Sequence, residues 1–407
     1  MSEFTVEISR PGELGLSTSA DLELPATQAE YHDAMEKART TDYKATYSTE
    51  LLDCERDWLC PHIPENVNLL ELNLLAIRMD KYIKDEMDVF EGMVNIETKR
   101  NGGEPIPLPR LINLTFSTEN CHVAGNITND TQLGKFLYEN DFLSDGDVRA
   151  LQALNEAGRP VSDLLALLGK EHRANEGGTF TSSGRYVEFD GSVNEAYVPH
   201  EMAYFESSGA PVVLEISKGF FNDPDYDNDL TATLGLPATA GQVCAAVEAV
   251  KAASLKEIAY ECTDCLIPAA KELIDDAEDV EAVQRFADAL VKMQRQTYPV
   301  LYKAMFEAVN PPDLESATEL IVEVDDYILD PNMSGPDDYA REYLSRLKGG
   351  DERIDLSRLI NPYALGQQVM ALENDEWTSY GVLKRKDGGP IHAQEQSAGP
   401  GMKMEGP

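Results

Sequence analysis

Phe4, Val6 and Ile8 alternate with polar residues near the start of the chain, the period-two pattern of a strand with one buried face. A turn-rich stretch leads to Leu22, Leu24 and Pro25, after which Thr27 and Glu30 stand at the spacing of a capping box, so a helix is expected from about residue 28. Leu72, Leu75, Met79, Tyr82, Ile83, Met87, Phe90 and Val94 recur at helical spacing and predict one long helix over about 68–95. A similar pattern over about 280–309 is interrupted by Pro299, where a kink or a break is expected. A further helix over 313–329 is expected to bury Leu314, Ala317, Ile321, Val324 and Ile328. Helical stretches followed by the extended segments TFTSSGRYVEF and EWTSYGVLKR end the pattern, which reads as α+β with a helix-rich middle.

The pattern also repeats. TVEIS at 5–9 returns as VLEIS at 213–217, and LPAT at 24–27 returns unchanged at 236–239. LNLLAIRM at 72–79 corresponds to VQRFADAL at 283–290, and NLTFSTENC at 113–121 to ELIVEVDDY at 319–327. LGKEHRANEGGTFTSSG at 168–184 matches LGQQVMALENDEWTSYG at 365–381. Five matches in one order predict two tandem units, 3–190 and 212–388, joined by a linker at 191–211 and followed by a disordered tail at 389–407 rich in Gly and Pro. Each unit is expected to hold a small N-terminal β-sheet plus helix, a helical middle and a small α/β closing element.

Charge changes the picture most. Among 407 residues, 73 acids oppose 34 bases, a formal charge of −39, which disfavours direct contact with nucleic acid or anionic lipid and favours a strongly basic partner. Residues 201–342 alone carry 29 acids against 9 bases. Asp275, Asp276, Glu278, Asp279 and Glu281 fall within seven positions, and Glu315, Glu319 and Glu323 follow one another at i, i+4 and i+8 with no base at helical spacing. Like-charge neighbours cost a helix roughly 0.2–0.5 kcal/mol each, so such rows need a return in function. Duplex DNA carries one charge per about 1.7 Å of axis, so −39 equals the charge of roughly 66 Å of duplex. The bland alternative is an acidic surface that serves solubility alone.

Other constellations carry less. Cys262 and Cys265 have the CxxC spacing of zinc and dithiol sites but lack a second pair, so semi-buried free thiols are the simpler reading. The six cysteines, Cys54, Cys60, Cys121, Cys244, Cys262 and Cys265, are read as mostly reduced. Asp223, Asp225, Asp227 and Asp229 resemble the start of a calcium loop, but Asn228 and Leu234 stand where Gly and Glu are needed. No HExxH, nucleophile elbow or P-loop occurs, which leaves no catalytic residues, no metal and no cofactor to assign. The sequence has no run of eighteen apolar residues, and its start lacks the features of a signal peptide, so a cytoplasmic protein is expected.

The segments LELPATQAEYHDAMEKA, ELNLLAIRM, LINLTFSTENC and LGKEHRANEGGTFTSSG resemble, in this order, the ArdA antirestriction proteins of mobile genetic elements. LGLPATAGQVCAAVEAV, VQRFADAL, TELIVEVDDYIL and LGQQVMALENDEWTSYG are their counterparts in the second unit. The resemblance implies a non-enzymatic, elongated DNA mimic that acts as a dimer and occupies the basic DNA-binding groove of a type I restriction-modification complex. A typical ArdA has the length of one unit, so two units in one chain imply an intramolecular pseudo-dimer or a homodimer of the whole chain. The carboxylates expected to stand in for phosphates are Asp275, Asp276, Glu278, Asp279, Glu315, Glu319, Glu323, Asp325 and Asp326, with Glu30, Asp33, Asp85, Glu86 and Asp88 in the first unit. Lys81, Lys84, Lys99 and Arg100 would interrupt an anionic face there. A mimic aimed at a CRISPR effector or a nucleoid protein, and a metal-binding or redox protein using Cys262 and Cys265, are the alternatives.

Overall fold

Phe4, Val6 and Ile8 are all buried on β1 (Phe4–Pro11), which pairs between β2 (Ser17–Leu24) and β3 (Ser48–Cys54) in the order β2-β1-β3. The structure, a computed structural model, describes residues 2–11, 17–40, 46–199, 201–205, 209–219, 230–294, 299–333, 335–347 and 361–391. The capping box forms as expected: the Glu30 N–H donates to Thr27 Oγ1 at 3.2 Å, the Thr27 N–H donates to Glu30 Oε2 at 2.8 Å, and α1 runs over Gln28–Lys37.

The predicted long helix divides into α2 (Leu69–Asp80) and α3 (Lys84–Arg100). The apolar period runs on through the break, but Ile83 is extended and exposed, and its N–H donates to Glu86 at 3.1 Å to open α3. Then come α4 (Leu108–Leu114), a 3₁₀ turn (Thr118–Asn120), β4 (Cys121–Ala124), α5 (Asp130–Glu139), α6 (Asp145–Glu156), α7 (Ser162–Glu176), β5 (Thr179–Phe180) and β6 (Tyr186–Phe189), with sheet order β4-β6-β5.

The second half repeats this plan with β7 (Val212–Lys218), β8 (Thr231–Leu236), α8 (Ala240–Ala249), β9 (Ile258–Cys265), α9 (Lys271–Asp275), α10 (Val280–Gln294), α11 (Pro299–Val309) and α12 (Leu314–Val322). A 3₁₀ turn (Val324–Asp326) leads to β10 (Tyr327–Asp330), α13 (Pro336–Leu347), α14 (Pro362–Glu373), β11 (Glu376–Thr378) and β12 (Gly381–Arg385). The sheet orders β8-β7-β9 and β10-β12-β11 match those of the first half, giving four three-stranded sheets in an α+β protein among the described residues. Pro299 opens α11, the tolerated place for proline in a helix.

The sequence matches have structural counterparts. The Ala26 N–H, inside the first LPAT, donates to the Asn73 side chain at 2.7 Å, and the Ala238 N–H of the second LPAT donates to Gln284 at 2.9 Å. Ser182 at the turn of the first closing hairpin donates its N–H and hydroxyl to Glu91 on α3, and Ser379 donates both to Glu307 on α11. Gly169 of α7 and Gly366 of α14, the glycines of the paired LG segments, lie against the carbonyls of Asp130 and Pro336, which open α5 and α13. A Cβ at either glycine would collide with that backbone, so the helices can approach this closely only through glycine.

The chain forms two compact units whose boundaries differ from those expected. One comprises Met1–Glu7, Asp21–Ala26 and Thr49–Glu206; the other comprises Ile8–Ala20, Thr27–Ser48 and Ser207–Pro407. The helix α1 therefore belongs with the second half of the chain, where Lys271 and Lys303 bind it. Most of the expected linker belongs to the first unit: Tyr197 is buried, donates its N–H to Asn113 at 2.7 Å and its hydroxyl to Glu71 at 2.8 Å. Of the expected tail, Ile391 is buried in the second unit's core, which also holds Leu214, Phe286, Tyr302 and Leu383, and residues 392–407 lie outside the described residues.

The expected helix 313–329 ends at Val322. Tyr327 is drawn into β10 opposite Arg385, and Ile328 on the same strand is exposed, not buried. Cys54 and Cys60 form a disulfide, against the expectation of reduced thiols; the end of β3 and the next turn bring their Cα atoms to 5.9 Å, within bridging range. Cys121, Cys244, Cys262 and Cys265 are free. No helix among the described residues is long and apolar enough to cross a membrane.

Candidate functional site

The fourteen singled-out carboxylates fall into two physical classes. In the second unit, Ile274 and Val280 turn inward from the segment that joins α9 to α10, and Asp275, Asp276, Glu278 and Asp279 point to solvent. Asp279 accepts the Ala282 N–H at 2.8 Å and so caps the start of α10. Asp275 accepts the Cys262 N–H at 2.6 Å; desolvation, and then the neighbouring Glu261 and Asp276, raise its pKa.

On α12, Leu314, Ala317, Leu320 and Ile321 are buried, which turns Glu315, Glu319 and Glu323 outward at steps of about 6 Å along the axis. Val324 then anchors the 3₁₀ turn and leaves Asp325 and Asp326 exposed. The described lysines closest in sequence or across the sheet have other partners. Lys271 pairs with Glu30, Lys303 with Asp33 and Glu36, and Lys384 with Asp375, while Lys386 binds the Asp325 carbonyl and not a carboxylate. Among the described residues these nine acids form no salt bridge, although Lys256 lines the same groove as Asp275, Glu278 and Asp279.

The first-half acids are different, and for Asp33 and Asp88, which are buried, the expectation of a place on an anionic face is corrected. Asp33 is buried, accepts the Tyr380 hydroxyl at 2.7 Å, and pairs with Lys37 at 2.8 Å and Lys303 at 2.9 Å. Burial alone would raise its pKa, but Lys303 and Lys37 overcome that and hold it below the usual value. Desolvation first, then the Asp33 charge, push the Tyr380 hydroxyl far upward. Asp88 is buried against the Arg185 Nε at 2.9 Å, and Asp85 pairs with the same guanidinium. Glu30 caps α1 and binds Lys271, and Glu86 caps α3. Four of the five are thus neutralised by cations, and the fifth holds a helix end. Lys99 and Arg100, expected to interrupt the face, tie α3 to the closing sheet through Thr179 Oγ1 and the Phe189 carbonyl.

The residues missed from sequence are Lys303 and Tyr380. Lys303 sits in the largely apolar run PVLYKAMFEAV and is nearly fully buried, and that lysine in such a run was the available signal. It lines, with Lys37, Ile267, Phe306, Glu307 and Tyr380, a cleft of about 380 Å³ beside the Asp33 ion pairs.

The metal and redox alternatives gain no support. Cys262 and Cys265 are buried in the core, and desolvation raises both thiols, Cys262 to about 12, which disfavours the reactive thiolate. No group of three or more His, Cys, Asp or Glu among the described residues is arranged to hold a metal ion, and Asp223 to Asp229 lie outside the described residues. His62 is buried and accepts the Ile106 N–H at Nδ1 over 3.0 Å, and desolvation lowers its pKa, so it is a core group. Comparison with protein-family models, with characterised proteins and with solved structures finds no match for the chain.

Proposed function

We propose that this protein is a non-catalytic, ArdA-like antirestriction inhibitor that acts in the cytoplasm by presenting carboxylates where a DNA-binding enzyme expects phosphates. The observation that carries the reading is the set of nine exposed, unpaired carboxylates on α9–α10 and α12–β10 of the second unit. Core residues on either side of them, Ile274, Val280, Leu320, Ile321 and Val324, hold the backbone that carries them, so binding has only their side chains to order. Like-charge rows on α12 oppose helix formation, and a basic partner would relieve that repulsion.

The partner that fits is the Lys- and Arg-rich DNA groove of a type I restriction-modification complex. Association would be steered by long-range attraction and weakened by salt. The test is equilibrium competition: the full chain is titrated against labelled duplex bound to a type I methyltransferase core at low salt and again at tenfold higher salt. Displacement at low salt that disappears at high salt is the expected result. No displacement at low salt sinks the reading for this target, and displacement from a nucleoid protein or a CRISPR effector instead would transfer it to that one.

A further inference from the structure

The strand β9 forms one edge of the sheet β8-β7-β9, and two observations fix which of its backbone groups face outward. The Gly219 N–H donates to the Glu257 carbonyl at 2.8 Å in the register that pairs Ile258 with Lys218 and Tyr260 with Ile216. Hydrogen-bonded and non-hydrogen-bonded pairs alternate in an antiparallel ladder, so Ile258, Tyr260 and Cys262 direct their N–H and C=O groups away from β7. Independently, the Cys262 N–H is met on that outer side by Asp275.

Asp275 thereby closes one end of the edge, and before it the backbone of Ile258 and Tyr260 borders a groove of about 560 Å³. Its floor includes Ile258, Ala259, Ala277 and Val280, and its rim carries Asp275, Glu278, Asp279 and Glu281. Lys256 is the single cation in the lining. An open strand edge above an apolar floor is the geometry in which an extended segment is captured by strand addition. The charge of the rim selects the occupant. The rim repels an acidic segment and adds nothing to the backbone pairing of a neutral one, whereas a segment alternating basic and apolar residues places stems and apolar side chains on the floor and cationic heads on the rim.

We infer that the β9 edge is a docking site for an extended basic segment of a partner protein, bound by backbone pairing with Ile258 and Tyr260 and by ion pairs with the carboxylates around them. This goes beyond phosphate mimicry, because a duplex mimic needs no open backbone edge. It holds or fails independently of the restriction target.

The experiment titrates the full chain, by calorimetry, with an acetylated and amidated pentapeptide of alternating arginine and valine. Two further versions of that peptide carry N-methyl groups on the odd or on the even residues. Strand pairing uses the donors of only one alternate set, so one methylated version should bind at least about tenfold more weakly and the other within about twofold of the parent. The variant Tyr260→Pro removes an outward N–H that the β7 ladder does not use, together with the hydroxyl that donates to the Ala277 carbonyl at 2.8 Å; it should weaken the parent peptide about tenfold relative to Tyr260→Phe, which loses that hydroxyl alone, with the circular dichroism unchanged. Absence of saturable binding would overturn the inference. So would equal binding by both methylated versions, which would mean attraction by charge alone. Both readouts are on the peptide, so they stand even if the proline variant misfolds. Failure here leaves duplex competition untouched, and failure of that competition leaves this result untouched.

Discussion

Asp33 on α1 and Glu319 on α12 are both helical carboxylates in strongly acidic stretches, yet they behave as opposites. Asp33 is 6% exposed and lies between two ammonium groups and a tyrosine hydroxyl, whereas Glu319 is exposed with acids one turn before and after it. The contrast extends to their surroundings: Glu30, Asp85 and Asp88 also bind cations, whereas the nine acids of α9–α10 and α12–β10 form no salt bridge among the described residues, on a scaffold of the same plan. Net charge therefore measures two things at once, structural ion pairs and uncompensated surface field, and only the second is available to a partner. The predictions below test that separation, taken from the largest effect to the smallest.

Replacing Asp33 with alanine leaves Lys303 buried with only Glu36 at 2.8 Å for company, and should cost about 3–5 kcal/mol in urea unfolding. Because the folded pKa of Asp33 lies below its unfolded value near 4, its contribution is full above that pH and is lost as pH falls through the folded value. Asp33→Asn should flatten the acid limb of a stability-against-pH curve; an unchanged limb would show that Asp33 is not an ion-pair hub.

Next in size, Gly169→Ala and Gly366→Ala should each destabilise by about 1–3 kcal/mol, since both place a methyl group on a neighbouring carbonyl. Similar losses in thermal unfolding would support structural equivalence of the two closing elements, and a loss in one alone would break it. Neutralising the centre of the α12 row with Glu319→Gln, which leaves Glu315 in the favourable first turn, should raise stability by roughly 0.4–1 kcal/mol, the relief of its two repulsive pairs. The sign opposes that of Asp33, and destabilisation would mean that the row has partners. The smallest effect belongs to Asp275→Asn, which keeps an acceptor for the Cys262 N–H and removes a charge that its surroundings disfavour, so stability should hold or rise slightly.

Local signals in the sequence were legible where one element decides its own structure. Thr27 and Glu30 marked the start of α1, Phe4, Val6 and Ile8 marked β1, and the paired LPAT and LG segments marked positions with matching contacts in both halves. The break between α2 and α3 was hidden because Tyr82 and Ile83 continue the apolar period and no Gly or Pro interrupts it. The end of α12 was hidden because Val324 fits a helical face as well as a 3₁₀ anchor, and the pull comes from the pairing of Tyr327 with Arg385 far along the chain. Lys37 pairs with Asp33 one turn along α1, but the allegiance of α1 to the second unit, the burial of Asp33 and the neutralisation of Asp85 and Asp88 depend on Lys303, Tyr380 and Arg185, which lie 97 or more residues away from the acids they bind. Such pairings have no periodicity. The exposed row was readable because an amphipathic helix with acids opposite its core face needs no distant partner to explain it.

The most direct test of the central claim compares two charge-neutralised proteins in duplex competition on a type I methyltransferase core. One carries Asn or Gln at Asp275, Asp276, Glu278, Asp279, Glu315, Glu319, Glu323, Asp325 and Asp326; the other carries Glu86→Gln alone, an exposed first-half acid that pairs with no described cation. The nine-site variant should stay folded and compete at least about a hundredfold more weakly, a loss of roughly 2.7 kcal/mol, while Glu86→Gln should compete like the parent. Undiminished competition by the folded nine-site variant would contradict the account.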